Sequence, residues 1–330
     1  MQLRQFGQTD LTVSELGLGC QSLGGGLYYR DDRESIRLLH RAMDAGINFF
    51  DVSDHHSLGR SEQLLGRAFR GNRDRVVITT KAGFHYTELG TLALRIRGAI
   101  RPMSRILRPI KRKLHRFRAA TGRYNFSSAY LTRAVERSLI RLQTDHIDLF
   151  QLYKPDTEQL QRGDFYQVLD KLKAQGKIRH YGIACARTGD AVTALKHAGN
   201  ASVQLAINFL EQHAISEVLP RARDRGIAVI ARHPRAIGLL TDHHDDIMGD
   251  ASAYEDQYGE RVRQAQQLEF LIGPGRSLAQ AAIAFVRHLS GVTVTLPRAS
   301  TVAELDDNLG SLHLPSFTDA ELDRIKGITT

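Results

Sequence analysis

Residues 46–69 read GINFFDVSDHHSLGRSEQLLGRAF, and they spell out one complete structural unit. The apolar run from Ile47 to Phe50 ends on Asp51, a polar turn follows, and from Ser61 the residues take helical spacing. A strand that ends on a carboxylate and turns into a helix places an acid at the mouth of an α/β fold.

The same alternation recurs along the chain. Apolar runs at 16–18, 49–53, 76–81, 147–152, 180–184, 203–208, 228–232 and 292–297 read as strands. Helical spacing follows each one, at 34–45, 62–70, 131–142, 165–175, 191–197, 217–225, 278–288 and 302–309. Gly46, Gly71, Gly176, Gly199 and Gly226 stand just past helical runs, where left-handed caps are predicted. The strand runs are continuously apolar, the pattern of a parallel sheet covered on both faces. Eight such units predict a (β/α)8 TIM barrel, with residues 1–330 forming one domain. Outside the repeat lie a predicted hairpin at 1–13, a basic insertion at 84–124 and a polar loop at 236–275. The hairpin is expected to plug the barrel floor. Both insertions follow strands and therefore belong to the C-terminal face, where barrel enzymes assemble their sites.

Charge is unevenly spread. The chain has 45 Lys/Arg against 36 Asp/Glu, and eleven of the basic residues fall at 95–123 with no acid among them. The remainder, with 34 basic and 36 acidic residues, is close to neutral. Within that insertion Ile100, Met103, Leu107, Ile110, Leu114 and Phe117 recur at three- and four-residue steps. This predicts one apolar stripe on a basic helix bent at Pro109. The stripe is expected to pack on the barrel, while the cations suit an acidic protein partner, an anionic membrane surface or an anionic substrate. Nucleic acid is disfavoured because aromatic residues are scarce among the charges. No apolar run approaches the roughly 20 residues of a membrane helix, and the N-terminus lacks a secretory signal, so a cytoplasmic location is expected. Cys20 and Cys185 make no disulfide framework and are read as buried cysteines. His243, His244, Asp245 and Asp246 are adjacent in a loop, without the spacing that converges on a metal, and no metal site is assigned.

The residues at the strand ends carry the chemistry: Asp51, Lys81, Tyr153, Lys154, Ala184, Cys185, Gln204, Asn208, Arg232, His233 and Arg298. Together with the stretches VVITTKAG, HIDLFQLYKPD, GKIRHYGIA, VQLAINFL, GIAVIARHPRAIGLLT and LPRASTVAELDDNL, they make the chain similar to the aldo-keto reductase superfamily over essentially its whole length. The resemblance implies a (β/α)8 barrel and NADP(H)-dependent reduction of aldehydes and ketones without a metal. The family's catalytic set is Asp, Tyr, Lys and His. Asp51 and Lys81 match it, but His56 stands where the Tyr belongs and Tyr153 where the His belongs. The two residue types are exchanged.

Hydride addition to a carbonyl creates an alkoxide, which needs a proton and a positive field. A phenol beside an ammonium can donate that proton, whereas an imidazole can donate it only as imidazolium. The expected arrangement is therefore a donor pair, His56 and Tyr153, around Lys81 held by Asp51. For the cofactor, the resemblance implies roles for Gln204, Asn208 and Arg232 near the nicotinamide, and for Arg298, Ser300 and Asn308 at the adenosine end. Ala184 and Cys185 replace the family's carboxamide-binding Ser-Asn pair, and Arg232 replaces an aromatic that stacks on the nicotinamide. Glu304, where the family often has Arg or Gln, suits a ribose hydroxyl better than a phosphate. NADP(H) is favoured, with NAD(H) as the alternative. Two other functions remain open at this level. One is a redox-neutral lyase, dehydratase or isomerase using Lys81, Asp51 and His56 as base. The other is a binding subunit without catalysis.

Overall fold

A computed structural model describes residues 1–25, 31–87, 122–241 and 258–329. The chain opens with an antiparallel hairpin, β1 (Leu3–Gln5) and β2 (Thr12–Ser14), in the register Leu3 to Ser14. Then come β3 (Leu18–Gly19), β4 (Phe49–Asp51), β5 (Val77–Ala82), β6 (Phe84–Tyr86), β7 (Gly122–Tyr124), β8 (Ile147–Tyr153), β9 (Ile178–Ala184), β10 (Ser202–Ala206), β11 (Ala228–Arg232) and β12 (Val294–Leu296). Eight of them form one parallel sheet in the order β3-β4-β5-β8-β9-β10-β11-β12. Parallel bridges from Leu16 to Thr295 and from Gly19 to Arg298 bring its two edges together. Helices Asp32–Asp44, Arg60–Ala68, Ser128–Leu142, Tyr166–Ala174, Thr188–Ala194, Leu219–Asp224, Leu278–His288 and Val302–Gly310 connect or follow the strands. The (β/α)8 barrel expected from the sequence is the observed architecture.

Side chains two apart on a strand share a face, and that rule divides the barrel interior by height. Phe49, Val77, Leu149, Ala228, Ile230, Val294 and Leu296 pack with Phe6, Leu11 and Val13 of the hairpin, which closes the floor as expected. The Phe6 and Phe49 rings stack at 5.8 Å. Two and four residues further along the same faces stand Asp51, Thr79 and Lys81, Gln151 and Tyr153, and Arg232. The interior is apolar at the floor and polar at the mouth where these four inward faces, of β4, β5, β8 and β11, change character partway along their strands. Phe50, on the opposite face of β4, meets Phe69 in the layer between strands and helices.

Charged pins fix the frame. Glu62, wholly buried, accepts from Thr80 Oγ1 at 2.6 Å and from Arg141 Nε at 2.5 Å, tying two helices to the strand that carries Lys81. Burial pushes the Glu62 carboxyl up, against the pull of Arg141. At the start of β8, Asp148 meets Arg73 at 2.7 Å, Arg179 at 2.8 Å and the Ile78 N–H at 2.9 Å. Arg179 and His180 also bind Asp10 of the hairpin, each at 2.7 Å.

Some expectations change. Gly46, Gly71, Gly176 and Gly226 take positive φ, but Gly199 does not. A Cβ on Gly199 would lie 2.0 Å from the Tyr181 hydroxyl, so close packing and not backbone conformation requires glycine there. The polar segment 236–275 is not only loop: it contains the helix Tyr258–Gln267. The 84–124 segment is bracketed by β6 and β7, which pair antiparallel with Tyr86 opposite Gly122. Most of the basic stretch 95–123, its expected helix, and His243 to Asp246 lie outside the described residues.

Candidate active site

Asp51 is the last residue of β4 and Lys81 the fifth of β5, and both side chains are inward and buried. Lys81 Nζ donates to Asp51 Oδ1 at 2.6 Å and to the Val52 carbonyl at 2.8 Å. Gln204 Nε2, from β10 across the barrel, donates to the same Asp51 oxygen at 3.0 Å. The backbone N–H of Cys20 holds the Asp51 carbonyl at 2.8 Å. A carboxylate held by side chains from two other strands fixes the ammonium in space, and a buried charge of this kind is stable only when paired. An ammonium has three N–H donors, and protein groups among the described residues take two.

Beyond β4 the chain makes a tight turn through His56–Gly59, with Ser57 and Leu58 at φ of 50° and 57°. The turn carries His55 and His56, whose rings lie edge to face at 4.8 Å. The His55 ring is 4.9 Å from that of Tyr153, the last residue of β8, and 5.2 Å from Phe84. Lys154 adopts a positive φ of 56°, and its ammonium sits 5.2 Å from the centre of the Tyr153 ring. The two exchanged residues, His56 and Tyr153, are thus joined through His55. The sequence assigns no role to His55. Its position between the two rings depends on the turn geometry, for which the sequence gives no spacing signal. Among the described residues, no group of three His, Cys, Asp or Glu is arranged to hold a metal ion.

The expected cofactor residues fall into two groups. Arg232 ends β11, and its Nη2 donates to the Cys185 carbonyl at 2.8 Å. Asn208 donates to the His233 carbonyl at 3.2 Å and accepts from the Leu210 N–H, holding the turn after β10. Cys185 and Ala184 are fully buried, and burial pushes the thiols of Cys185 and Cys20 far up, which makes neither a ready nucleophile. In the second group Arg298 is exposed, and Asn308 Nδ2 donates to its carbonyl at 3.2 Å. Glu304 is engaged at home, accepting from the Ser300 N–H at 2.7 Å. Arg235, unremarked in the sequence, donates to the Arg298 carbonyl at 2.6 Å; burial and the Arg298 charge push its guanidinium down. Among the described residues, Gln204 Oε1, Arg232 Nε and Asn308 Oδ1 are buried without hydrogen-bond partners. Unsatisfied polar atoms on three of the expected cofactor residues fit a dinucleotide, whose polar groups would satisfy them.

The aldo/keto reductase family profile matches residues 15–330. The chain belongs to this family. This aldo/keto reductase is 26% identical to the "Uncharacterized oxidoreductase YqkF" of Bacillus subtilis (strain 168), covering all of this chain and 97% of that protein. It is 25% identical to the "NADH-specific methylglyoxal reductase" of Escherichia coli (strain K12), over 96% of this chain and 94% of the other. Among solved structures, the holo form of aldo-keto reductase AKR11C1 from Bacillus halodurans superposes with a TM-score of 0.77 at 26% identity, covering 100% of this chain and 97% of that one. The family uses nicotinamide cofactors and acts on small carbonyl compounds.

Proposed function

We propose that this aldo/keto reductase is an NAD(P)H-dependent oxidoreductase that reduces a small aldehyde, ketone or keto-sugar with a rearranged set of proton donors. The observation that carries the reading is the buried Lys81 ammonium, held at 2.6 Å by an Asp51 carboxylate that Gln204 braces, at the polar end of the barrel interior. The remaining N–H of Lys81 is the donor for the substrate carbonyl oxygen, and the ammonium stabilises negative charge as it develops there. Tyr153, through its phenol O–H, and His56, through a ring N–H, deliver the proton. The buried pair excludes water from the ammonium and strengthens its field on the oxygen.

A reduced nicotinamide bound at the barrel mouth would supply the hydride. Gln204, Asn208 and Arg232 would hold its nicotinamide end, and Arg298, Ser300 and Asn308 its adenosine end. Exposed Arg298 supports NADP(H), since a guanidinium there can pair with a 2′-phosphate. Glu304 accepts from the Ser300 N–H and also attracts the Arg235 guanidinium.

The experiment is titration with NADPH and with NADH, followed by turnover against a panel of aldehydes, ketones and keto-sugars. Tighter binding of NADPH and carbonyl-dependent oxidation are expected. No affinity for either nucleotide and no turnover would overturn the reading, and exchange of substrate α-hydrogen for deuterium without any nucleotide would point instead to a redox-neutral enzyme.

A further inference from the structure

His55 is the hub of the ring cluster, in contact with His56, Phe84 and Tyr153, and its side chain is only 11% exposed. Its Nδ1 lies 2.7 Å from Ser53 Oγ. Ser53 is fully buried, and its Oγ is also 3.0 Å from the Lys81 carbonyl oxygen, which can only accept. A hydroxyl has one proton to give. Placed on the Lys81 carbonyl, which also accepts the Asp54 N–H at 3.0 Å, it leaves the Ser53 oxygen to accept from a hydrogen on His55 Nδ1. The reverse assignment would set two oxygen lone pairs against each other at 3.0 Å. Asp54 Oδ1, 3.6 Å from the same nitrogen, favours the same tautomer.

We propose that His55 is a positioning residue of this active site. The Ser53 hydroxyl holds it as the Nδ1–H tautomer, and in that seat it sets the placement of the His56 and Tyr153 rings and couples both to the backbone of the Lys81 strand. Its kinetic consequence rests on reading Tyr153 and His56 as the proton-delivering pair. Its structural content does not. The chain of contacts runs from the Lys81 carbonyl through Ser53 Oγ and His55 Nδ1 to the ring faces, so a change at Ser53 reaches Tyr153 without touching it.

The test uses the full-length protein and the variants His55→Ala, His55→Phe and Ser53→Ala. Imidazole nitrogen chemical shifts, assigned by the signal lost in His55→Ala, report the tautomer. Nδ1–H is expected in the wild type, with that preference weakened in Ser53→Ala; a wild-type Nε2–H tautomer overturns the proposal. Tyr153 ring resonances are expected to move in His55→Ala, and unchanged resonances overturn it. His55→Phe keeps a ring in place but removes the N–H, and kcat is expected to fall about tenfold or more while KM stays within a few-fold. Wild-type values of both in that variant overturn the proposal. If the wild type itself reduces no carbonyl, the functional reading fails while the tautomer and the Tyr153 resonances still decide the role of His55.

Discussion

Replacing Lys81 with Met removes the ammonium but keeps the length of the side chain. The cost to stability follows from burial: the Lys81 and Asp51 side chains are 5% and 8% exposed, and their ion pair is 2.6 Å long. Without Lys81, the Asp51 carboxylate keeps only Gln204 as a side-chain partner. Removing one member of a buried pair costs about 3–5 kcal/mol, whereas replacing both with apolar residues is often close to neutral. At roughly 2 °C per kcal/mol in a large domain, Lys81→Met should melt about 6–10 °C lower. The double variant Asp51→Leu/Lys81→Met should recover most of that loss. Activity should follow a different course, since both variants lose the positive field on the carbonyl oxygen, a loss of about 100-fold or more in kcat. Thermal denaturation and nucleotide oxidation, measured on the same preparations, separate the two effects. Retained turnover in Lys81→Met would refute the reasoning, and so would a double variant no more stable than the single.

Other consequences can be measured independently. Tyr153→Phe should lower kcat by about 100-fold, and the exchange His56→Tyr/Tyr153→His should be more active than either single substitution, as steady-state kinetics will show. Burial pushes the Asp148 carboxyl up, but His146, Arg73, the Ile78 N–H and Arg179 outweigh it and hold the group down at about 2. Its folded-state value is thus below the unfolded one, so its stabilisation is present above about pH 4 and is lost as pH falls toward 2, about 2 kcal/mol in all. Asp148→Asn should flatten the melting profile over that range, and an unchanged profile would exclude this origin. Gly199→Ala should cost about 1–3 kcal/mol by crowding the Tyr181 hydroxyl, read from denaturant unfolding; wild-type stability would show that the packing yields freely.

The fold was legible because its signal is repetitive. Residues 228–232 and 278–288 coincide with the observed strand and helix, and the other predicted boundaries differ by a few residues where turns take over. Helices Thr157–Arg162 and Asp319–Thr329 went unread, being short or weakly patterned. Asp51 and Lys81 were legible as a pair because a strand end fixes where its last inward side chain stands. His55 was not, since its neighbours come from a turn with left-handed residues and from a strand about a hundred positions away in sequence. Gly199 shows the same limit in reverse: the residue suits a helix stop, but the reason for it lies in a tyrosine on another element.

The pairing of Tyr86 with Gly122 has a consequence for how this barrel can change. Three pairs of residues, Phe84 with Tyr124, His85 with Arg123 and Tyr86 with Gly122, hold the two ends of the intervening span side by side. Doubling the length of such an excursion adds only about 0.6 kcal/mol of closure entropy. A short turn across the Tyr86–Gly122 pair could therefore replace residues 88–121 without changing how the two ends are joined to the scaffold. Shuffling of this one span is a route by which related barrels could acquire new docking properties while keeping Asp51 and Lys81 in place.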